Sequence, residues 1–202
     1  MTATPWQILH LDARSARDNA DKVLVPLWEA THEQIIATDA FYSTARILDR
    51  LDGYTKAAGF AMTVARDPTT DTTVGLAFGY PLPTGSRWWQ GLLDPTPEGF
   101  TDEDGTRTFA INEIMVHPSH QRRGIAALLH TELLSARPEE RATLLVRHDN
   151  HTAHAAYNSW GWHKVARLQP YPDSPIYDAL ILPLPLTQQQ HTPPHHDPGH
   201  PI

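Results

Sequence analysis

The sequence predicts an α/β fold in which a mixed sheet is flanked by helices. Apolar runs of strand length alternate along the chain with segments whose apolar residues recur every three or four positions, as they do in amphipathic helices. The chain has 202 residues, of which 40% are hydrophobic, and it contains six Trp. This is enough apolar material to bury the core of one domain, so we predict a single domain over residues 1–186.

The first part of the chain is predicted to contain an opening strand, two helices and a hairpin of two strands. In that order, these segments are residues 6–11, 16–31, 39–51, 60–66 and 73–80. Pro26 is expected to end or kink the first helix, because proline has no N–H to donate within a helix. The polar residues 67–71 are expected to form the hairpin turn.

The second part is predicted to alternate strands and helices and to close with two strands. The segments are a strand at 108–116, a helix at 124–137, a strand at 142–147, a helix at 150–160, and strands at 161–167 and 177–184. Pro138 is expected to stop the first of these helices.

Two segments do not fit the alternation. Residues 81–107 hold four prolines, four glycines and an acidic cluster around Trp88 and Trp89, and they are too long for an ordinary connection. We interpret them as an insertion, either a lid whose aromatic residues bind the acceptor or a surface loop docked on the core. Residues 187–202 have almost no apolar content and predict a flexible tail, whose four His give at most adventitious metal binding.

Charge and composition exclude several classes of function. The formal charge is −7, from 23 acidic and 16 basic residues, so a nucleic-acid partner is disfavoured and a cationic small molecule or peptide is better tolerated. The N-terminus has no secretory signal and no apolar run reaches about 20 residues, so we expect a cytoplasmic protein without membrane association. The absence of Cys excludes a thiolate nucleophile and cysteine ligands for a metal.

The centre of the sequence carries a candidate anion site. A strand-like run at residues 114–116 leads through a turn to Gln121-Arg122-Arg123-Gly124, directly before a helical run. Glycine permits close backbone approach, and the N–H groups at a helix start attract anions, so this loop suits a pyrophosphate. It is not a Walker loop, since Ile125-Ala126 follows the glycine, and one glycine does not make a dinucleotide fingerprint. The alternative is a solvated basic turn.

A second pattern follows downstream. Asn150, Ala153, Tyr157 and Gly161 are spaced by three, four and four residues, which places them on one face of a helix that ends in a tight turn. Without a ligand, the same residues are explained as a capping Asn, a core Ala, a packed Tyr and a C-terminal Gly.

Together the two segments resemble the Gcn5-related N-acetyltransferase (GNAT) superfamily. Its acyl-CoA motif is Gln or Arg-x-x-Gly-x-Gly or Ala after a strand ending in Val-x-Pro, and this chain has Val116-His117-Pro118 and then Gln121 to Ala126. The family's motif Asn-x-x-Ala-x-x-x-Tyr-x-x-x-Gly-Phe is met from Asn150 to Gly161, with Trp162 in place of Phe. The resemblance is specific over residues 108–167 and architectural over residues 6–80.

The resemblance implies a central, mostly antiparallel sheet with a splayed parallel strand pair, and acetyl-CoA as cosubstrate without a metal. It implies that an amine acceptor attacks the thioester directly; a homodimer would be compatible with it. The expected cofactor-binding residues are Met115, Val116, Gln121, Arg122, Arg123, Gly124, Ile125, Ala126 and Asn150. Asn150 is expected either to bind the pantetheine arm or to cap its helix. Tyr157 is expected to protonate the departing CoA thiolate.

An amine must lose a proton before it attacks, so a general base is needed. Glu113 is our candidate, since strand alternation places it on the side of Met115 in an otherwise apolar segment. A structural ion pair or a carboxylate that binds the acceptor is the alternative. His117 is a second candidate base. Trp88 and Trp89 are candidate acceptor contacts. A non-catalytic acyl-CoA-binding module and an O-acyltransferase stay open as other functions.

Overall fold

The computed structural model describes residues 6–171 and 174–186. It contains one seven-stranded sheet in the spatial order β1-β2-β3-β4-β5-β7-β6. The strands are β1 Gln7–Leu11, β2 Ala61–Asp67, β3 Thr72–Pro81, β4 Thr108–Val116, β5 Arg141–Arg147, β6 His163–Leu168 and β7 Tyr177–Pro183. The predicted mixed α/β fold is confirmed. The tail predicted at 187–202 lies outside the described residues.

Six α-helices accompany the sheet in the described ranges. They are α1 Ala13–Asp18, α2 Ala20–Val23, α3 Val25–His32, α4 Thr44–Tyr54, α5 Ile125–Leu134 and α6 His151–Ser159. Their starts have local causes: the Asp12 side chain accepts from Ser15 N–H at 2.8 Å to cap α1, and Ser43 Oγ accepts from Arg46 N–H at 3.4 Å to cap α4. No helix in the described part of the chain is long and apolar enough to cross a membrane.

The single helix predicted over 16–31 is wrong, because this stretch forms three short helices. Asn19 leaves the helical region, with φ −114° and ψ 11°, and its amide donates to the carbonyl of Ser15 at 2.8 Å. Pro26 lies in the first turn of α3, where a missing N–H costs nothing. Proline therefore marks the start of a helix here and not its end.

The parallel pair β4–β5 determines where a ligand can enter the sheet. The two strands pair only at their first three residues, where Thr108, Phe109 and Ala110 face Arg141, Ala142 and Thr143. Beyond that point β4 keeps its antiparallel partner β3, and β5 keeps β7. A register shift near Phe78 makes Asn112 the extra residue of a bulge on β4. The sheet therefore opens between the C-terminal halves of β4 and β5.

Three apolar clusters cover the two faces of the sheet. On one face, Ile125, Leu129 and Leu133 of α5 pack against the sheet, together with residues of α6. On the other face, α1 to α4 cover the first half of the sheet. The insertion covers the second half of that face, where Trp89 packs among residues of β6 and β7. The opening between β4 and β5 thus lies between α5 and α6 on one face of the sheet and α1 to α4 with the insertion on the other.

Candidate active site

Main-chain groups of β4 face the opening. The N–H of His117 donates to the carbonyl of Val74 at 2.9 Å, which makes these two residues a hydrogen-bonded pair. Hydrogen-bonded pairs alternate along an antiparallel ladder, so Met115 also bonds to β3, whereas the N–H and C=O groups of Ile114 and Val116 point into the opening. The geometry therefore supports Val116 as a main-chain ligand, but it moves the role expected of Met115 to Ile114.

The loop before α5 presents a row of free N–H groups. Arg122 has φ 60° and Gly124 has φ 76°, and these two left-handed residues turn the chain into the helix. Within the described ranges, the N–H groups of residues 122–127 have no main-chain acceptor. A Cβ built on Gly124 meets no atom within 4 Å, so it is the backbone conformation that requires glycine here. The arginine side chains of residues 122 and 123 are exposed.

One cavity of about 530 Å³ joins this loop, the edge of β4 and the face of α6. Its lining includes Ile114, Val116, Gln121, Arg122, Gly124, Ile125, Ala126, Asn150, Ala153, Ala156, Tyr157 and Trp160. Residues that are far apart in the sequence thus face one space. Arg123 belongs to the loop but not to the lining.

Tyr157 lies on the α6 wall of this cavity. Its ring makes edge contacts with Trp160 and Trp162, at centroid distances of 5.5 and 6.0 Å. Burial raises the pKa of the phenol above its ordinary value, and the carboxylate of Glu113 raises it further. The hydroxyl therefore stays protonated at neutral pH, and it has no hydrogen-bond partner among the described residues.

Glu113 lies on β4 opposite Phe78, on the sheet face covered by α1 to α4. Burial raises the pKa of its carboxyl group to about 7, and the positive charge of Arg50 opposes part of that increase. In the described part of the chain the carboxyl group forms neither a hydrogen bond nor a salt bridge, so the alternative of a structural ion pair is not observed. Such a group exchanges protons near neutral pH.

The predicted cap at Asn150 is observed. Its side-chain oxygen accepts from the N–H of Ala153 at 3.1 Å and so starts α6. The residue is exposed and lines the cavity, which leaves its amide N–H groups available to a ligand. Capping and ligand binding are therefore compatible roles.

The family model described as "Acetyltransferase (GNAT) family" matches residues 28–162, more than half of the chain. The chain belongs to the GNAT family. The resemblance inferred from its two motifs is thereby confirmed, as is the prediction that it is an acetyltransferase. A search of curated proteins gave no match.

Solved structures share the fold of this GNAT protein at low sequence identity. Ard1 from Thermoplasma volcanium has 19% identity and a TM-score of 0.57, with 90% of this chain and 99% of that chain covered. yncA from Salmonella typhimurium, solved with its cofactor acetyl-CoA, has 15% identity and a TM-score of 0.55, with 95% and 99% covered. The PaiA N-acetyltransferase of Thermoplasma acidophilum, in complex with coenzyme A, has 12% identity and a TM-score of 0.54, with 89% and 99% covered.

The insertion of this GNAT protein does not reach the cavity. Trp89 is buried, and its indole N–H donates to Glu103 Oε1 at 2.9 Å. The same oxygen accepts from Thr108 at 2.9 Å and from Arg141 at 3.1 Å. Trp89 is thus docked on the core, as the second interpretation of the insertion expects, and a contact between Trp89 and the acceptor stays a prediction. Trp88 is half-buried and packs against the apolar cluster that Trp89 forms with residues of β6 and β7.

His117 also lies outside the cavity that holds Tyr157. Its Nδ1 is 2.8 Å from Ser119 Oγ, and it lines a separate cavity with Lys22, Arg66 and His120. This placement gives no support to His117 as the base. In the described part of the chain no group of His, Asp and Glu is arranged to hold a metal ion.

The sequence prediction missed Ile114, Ala156 and Trp160. Ala156 and Trp160 lie on the helix face already identified by Ala153 and Tyr157, so helical spacing could have predicted both residues. Ile114 contributes main-chain groups, and its role depends on the register with β3, which the sequence does not specify.

Proposed function

We propose that this GNAT acetyltransferase transfers the acetyl group of acetyl-CoA to a primary amine by direct attack on the thioester. The observation that carries the proposal is the single cavity shared by the free N–H row, the main-chain edge of β4 and the Tyr157 phenol. These are the three features that a thioester with a pyrophosphate tail requires.

The chain offers a fitting site for acetyl-CoA. The N–H groups of residues 122–127 have no main-chain acceptor in the described chain and lie at the N-terminus of α5, which suits a pyrophosphate. Arg122 and Arg123 add positive charge nearby, and Gln121 and Asn150 supply amide donors. The main-chain groups of Ile114 and Val116 are free to pair with the amides of pantetheine, as a neighbouring strand would.

Glu113 is proposed to remove the proton from the acceptor ammonium. With a pKa of about 7, its carboxyl group is partly ionised at neutral pH and returns the proton easily to water. The amine nitrogen then bonds to the carbonyl carbon of the thioester. Negative charge develops on the carbonyl oxygen, and this oxygen accepts a hydrogen bond from the Val116 N–H. One such donor stabilises the transition state by about 2.7 to 4 kcal/mol.

Tyr157 is proposed to act on the leaving side. When the C–S bond breaks, the sulfur carries the electron pair away, and the phenol donates its proton to that sulfur. Burial keeps the phenol protonated, so no other group has to supply this proton. The nitrogen of the intermediate loses its second proton to water as the C–S bond breaks, and the phenolate takes up a proton from water, so the site returns to its starting state with one proton released per turnover.

A direct experiment follows from this scheme. The protein is incubated with acetyl-CoA and a panel of amines, and free CoA thiol is measured with a colorimetric thiol reagent, with matching alcohols as controls. Thiol release that depends on an amine supports the proposal. Release only with alcohols indicates O-acyl transfer. Acetyl-CoA binding by calorimetry without any turnover indicates a non-catalytic module.

A further inference from the structure

We propose that Arg50 binds a carboxylate on the acceptor, so that the acceptor is a primary amine of the amino-acid type and not a simple cationic amine. This inference rests on the proposed function and specifies its substrate class. It revises the expectation, drawn from the net charge, that a cationic acceptor is best tolerated.

Arg50 is a half-buried cation, and two of its nitrogen atoms have no hydrogen-bond partner among the described residues. Its Nε and Nη2 atoms are inaccessible to solvent and bond to nothing among the described residues. The guanidinium carbon lies 5.1 Å from the centroid of the Trp28 ring and 4.7 Å from that of Phe41. These rings stabilise the charge through their faces, but they do not satisfy the N–H groups in the guanidinium plane. No oxygen atom of the described residues accepts a hydrogen bond from Nε or Nη2.

Other arginines of the described chain show what a satisfied guanidinium looks like. Arg141 pairs with Glu103 at 3.1 Å, Arg147 with Asp149 at 2.7 Å, and Arg167 with Asp94 at 2.7 Å. Arg66, which also has a buried unpartnered Nε, still pairs with Asp71 through Nη2 at 2.7 Å. Arg50 has no such carboxylate.

A series of packing contacts connects Arg50 on α4 with Glu113, the proposed base on β4. Arg50 and Tyr54 are four residues apart on α4 and so share one helix face. The Tyr54 ring is 5.9 Å from that of Phe78, and Phe78 is directly opposite Glu113 across the β3–β4 pair. These contacts lead from Arg50 to the proposed base.

A second set of contacts reaches the same place from α3. Trp28, against which Arg50 packs, is three residues before Thr31 on this helix, and the Thr31 hydroxyl is 3.6 Å from the sulfur of Met115. Met115 shares the sheet face of Glu113, two residues further along β4. The electrostatics agree, because the charge of Arg50 lowers the pKa of Glu113.

Arg50 and Glu113 are nevertheless not paired with each other, since no salt bridge joins them within the described residues. Two opposite charges that are half-buried and have no hydrogen-bond partner among the described residues are costly to desolvate. An α-amino acid offsets both costs at once: its ammonium group faces Glu113 and its carboxylate faces Nη1, the guanidinium nitrogen of Arg50 that is not closed to solvent. The exposed ring of Phe41 borders the approach to this arginine.

The nearby oxygen of Asn112 fits the same ligand. Its Oδ1 is buried and has no hydrogen-bond partner within residues 6–171 and 174–186. Burial raises the pKa of Tyr54 to about 12 and also raises that of Tyr80, and hydrogen bonding from the Asn112 amide opposes part of both increases, which places Asn112 beside these rings. An ammonium group carries three N–H donors, and the free oxygen is a second acceptor for one of them.

The test uses matched substrates. Each L-amino acid is assayed for CoA release beside its decarboxylated amine and its carboxamide, all in the intact chain with acetyl-CoA. We expect the best acid to exceed its decarboxylated amine in kcat/KM by at least about tenfold, the range of a charge-assisted bidentate contact. Equal kcat/KM values for the acid, the amine and the amide would overturn the inference while leaving the proposed function intact.

Variants then assign the preference to Arg50. Arg50→Gln is expected to lower kcat/KM for the acid at least about tenfold more than kcat/KM for the amine, because a changed pKa of Glu113 affects both acceptors alike, and Arg50→Lys is expected to keep part of the preference. Arg14→Gln, which removes an exposed arginine on α1, serves as the charge control. An equal loss with acid and amine in Arg50→Gln and Arg50→Lys would contradict the role. Absence of turnover with every acid and amine would overturn this inference and the proposed function together.

Discussion

Burial raises the pKa of the Tyr157 phenol, and the carboxylate of Glu113 raises it further, although the two residues belong to α6 and β4. Electrostatic coupling of this kind requires proximity in a poorly solvated place. The opening between β4 and β5 brings the two side chains close, because in this stretch the two strands no longer pair with each other. One residue with a pKa near neutral and one that stays protonated are thereby held at the same opening, as a base and an acid of one reaction require.

The first prediction concerns Glu113→Gln. The amide keeps the shape of the side chain but takes up no proton, so kcat/KM should fall by about 10² to 10⁴. In the parent enzyme the base must be ionised, so kcat/KM should rise with pH through about 7, the pKa of Glu113. The variant should lose this rise. Rates measured from pH 5 to 9 check both points.

The control for that experiment is Glu98→Gln, which removes an exposed carboxylate from the insertion. It should keep the parent profile. If Glu113→Gln retains both the rate and the rise near pH 7, the base is another group.

The second prediction concerns Tyr157→Phe. The ring and its contacts with Trp160 and Trp162 stay, and the hydroxyl has no hydrogen-bond partner in the described chain to lose. The thermal midpoint and the acetyl-CoA affinity should therefore change little, whereas kcat should fall by about 10² to 10⁴ if the phenol protonates the thiolate. Tyr171→Phe, at an exposed site, is the control. Parent kcat in a single-turnover measurement of Tyr157→Phe would contradict the role.

The third prediction compares two glycines. Gly124 has φ 76° and Gly85 has φ 73°, and an added Cβ meets no atom within 4 Å at either site. Gly124→Val and Gly85→Val should therefore carry similar backbone strain and lose similar stability. Only Gly124 lines the cavity, so only Gly124→Val should abolish acetyl-CoA binding in calorimetry. Equal affinity in both folded variants would show that the loop does not hold the cosubstrate.

Local patterns predicted the strand, loop and helix around Gly124 because their causes are local. A left-handed glycine, free N–H groups and helical spacing all lie within a few residues of one another. The face of α6 from Asn150 to Tyr157 was predictable for the same reason. The break at Asn19 was not, because a single Asn side chain competes with the helix by bonding back to Ser15, and spacing does not reveal that choice.

The remaining features depend on contacts between distant segments. Whether Met115 or Ile114 turns its main chain to the opening is a question of register with β3, and a shift by one residue reverses the answer. Arg50 gains its meaning only when α4 packs against Trp28 and beside Phe78. The sequence predicts an arginine on a helix, but it does not show that two of the guanidinium nitrogen atoms have no hydrogen-bond partner among the described residues.

The last prediction concerns the insertion, through two tryptophans that are neighbours in the sequence. The indole N–H of Trp89 donates to the buried Glu103, whereas that of Trp88 is buried without a partner among the residues that the structure describes. Trp89→Phe removes a donor from a carboxylate that also binds Thr108 and Arg141, so the free energy of unfolding should fall by about 1 to 3 kcal/mol. Trp88→Phe makes the same chemical change without breaking a hydrogen bond and should cost less. Urea unfolding measures both values, and the acceptor KM should be unchanged in both variants because the two indoles pack with Leu168, Ala179 and Ile181, whereas Glu113 lies on the part of the sheet covered by α1 to α4. A raised acceptor KM in Trp89→Phe with parent stability would instead make the insertion a lid over the acceptor.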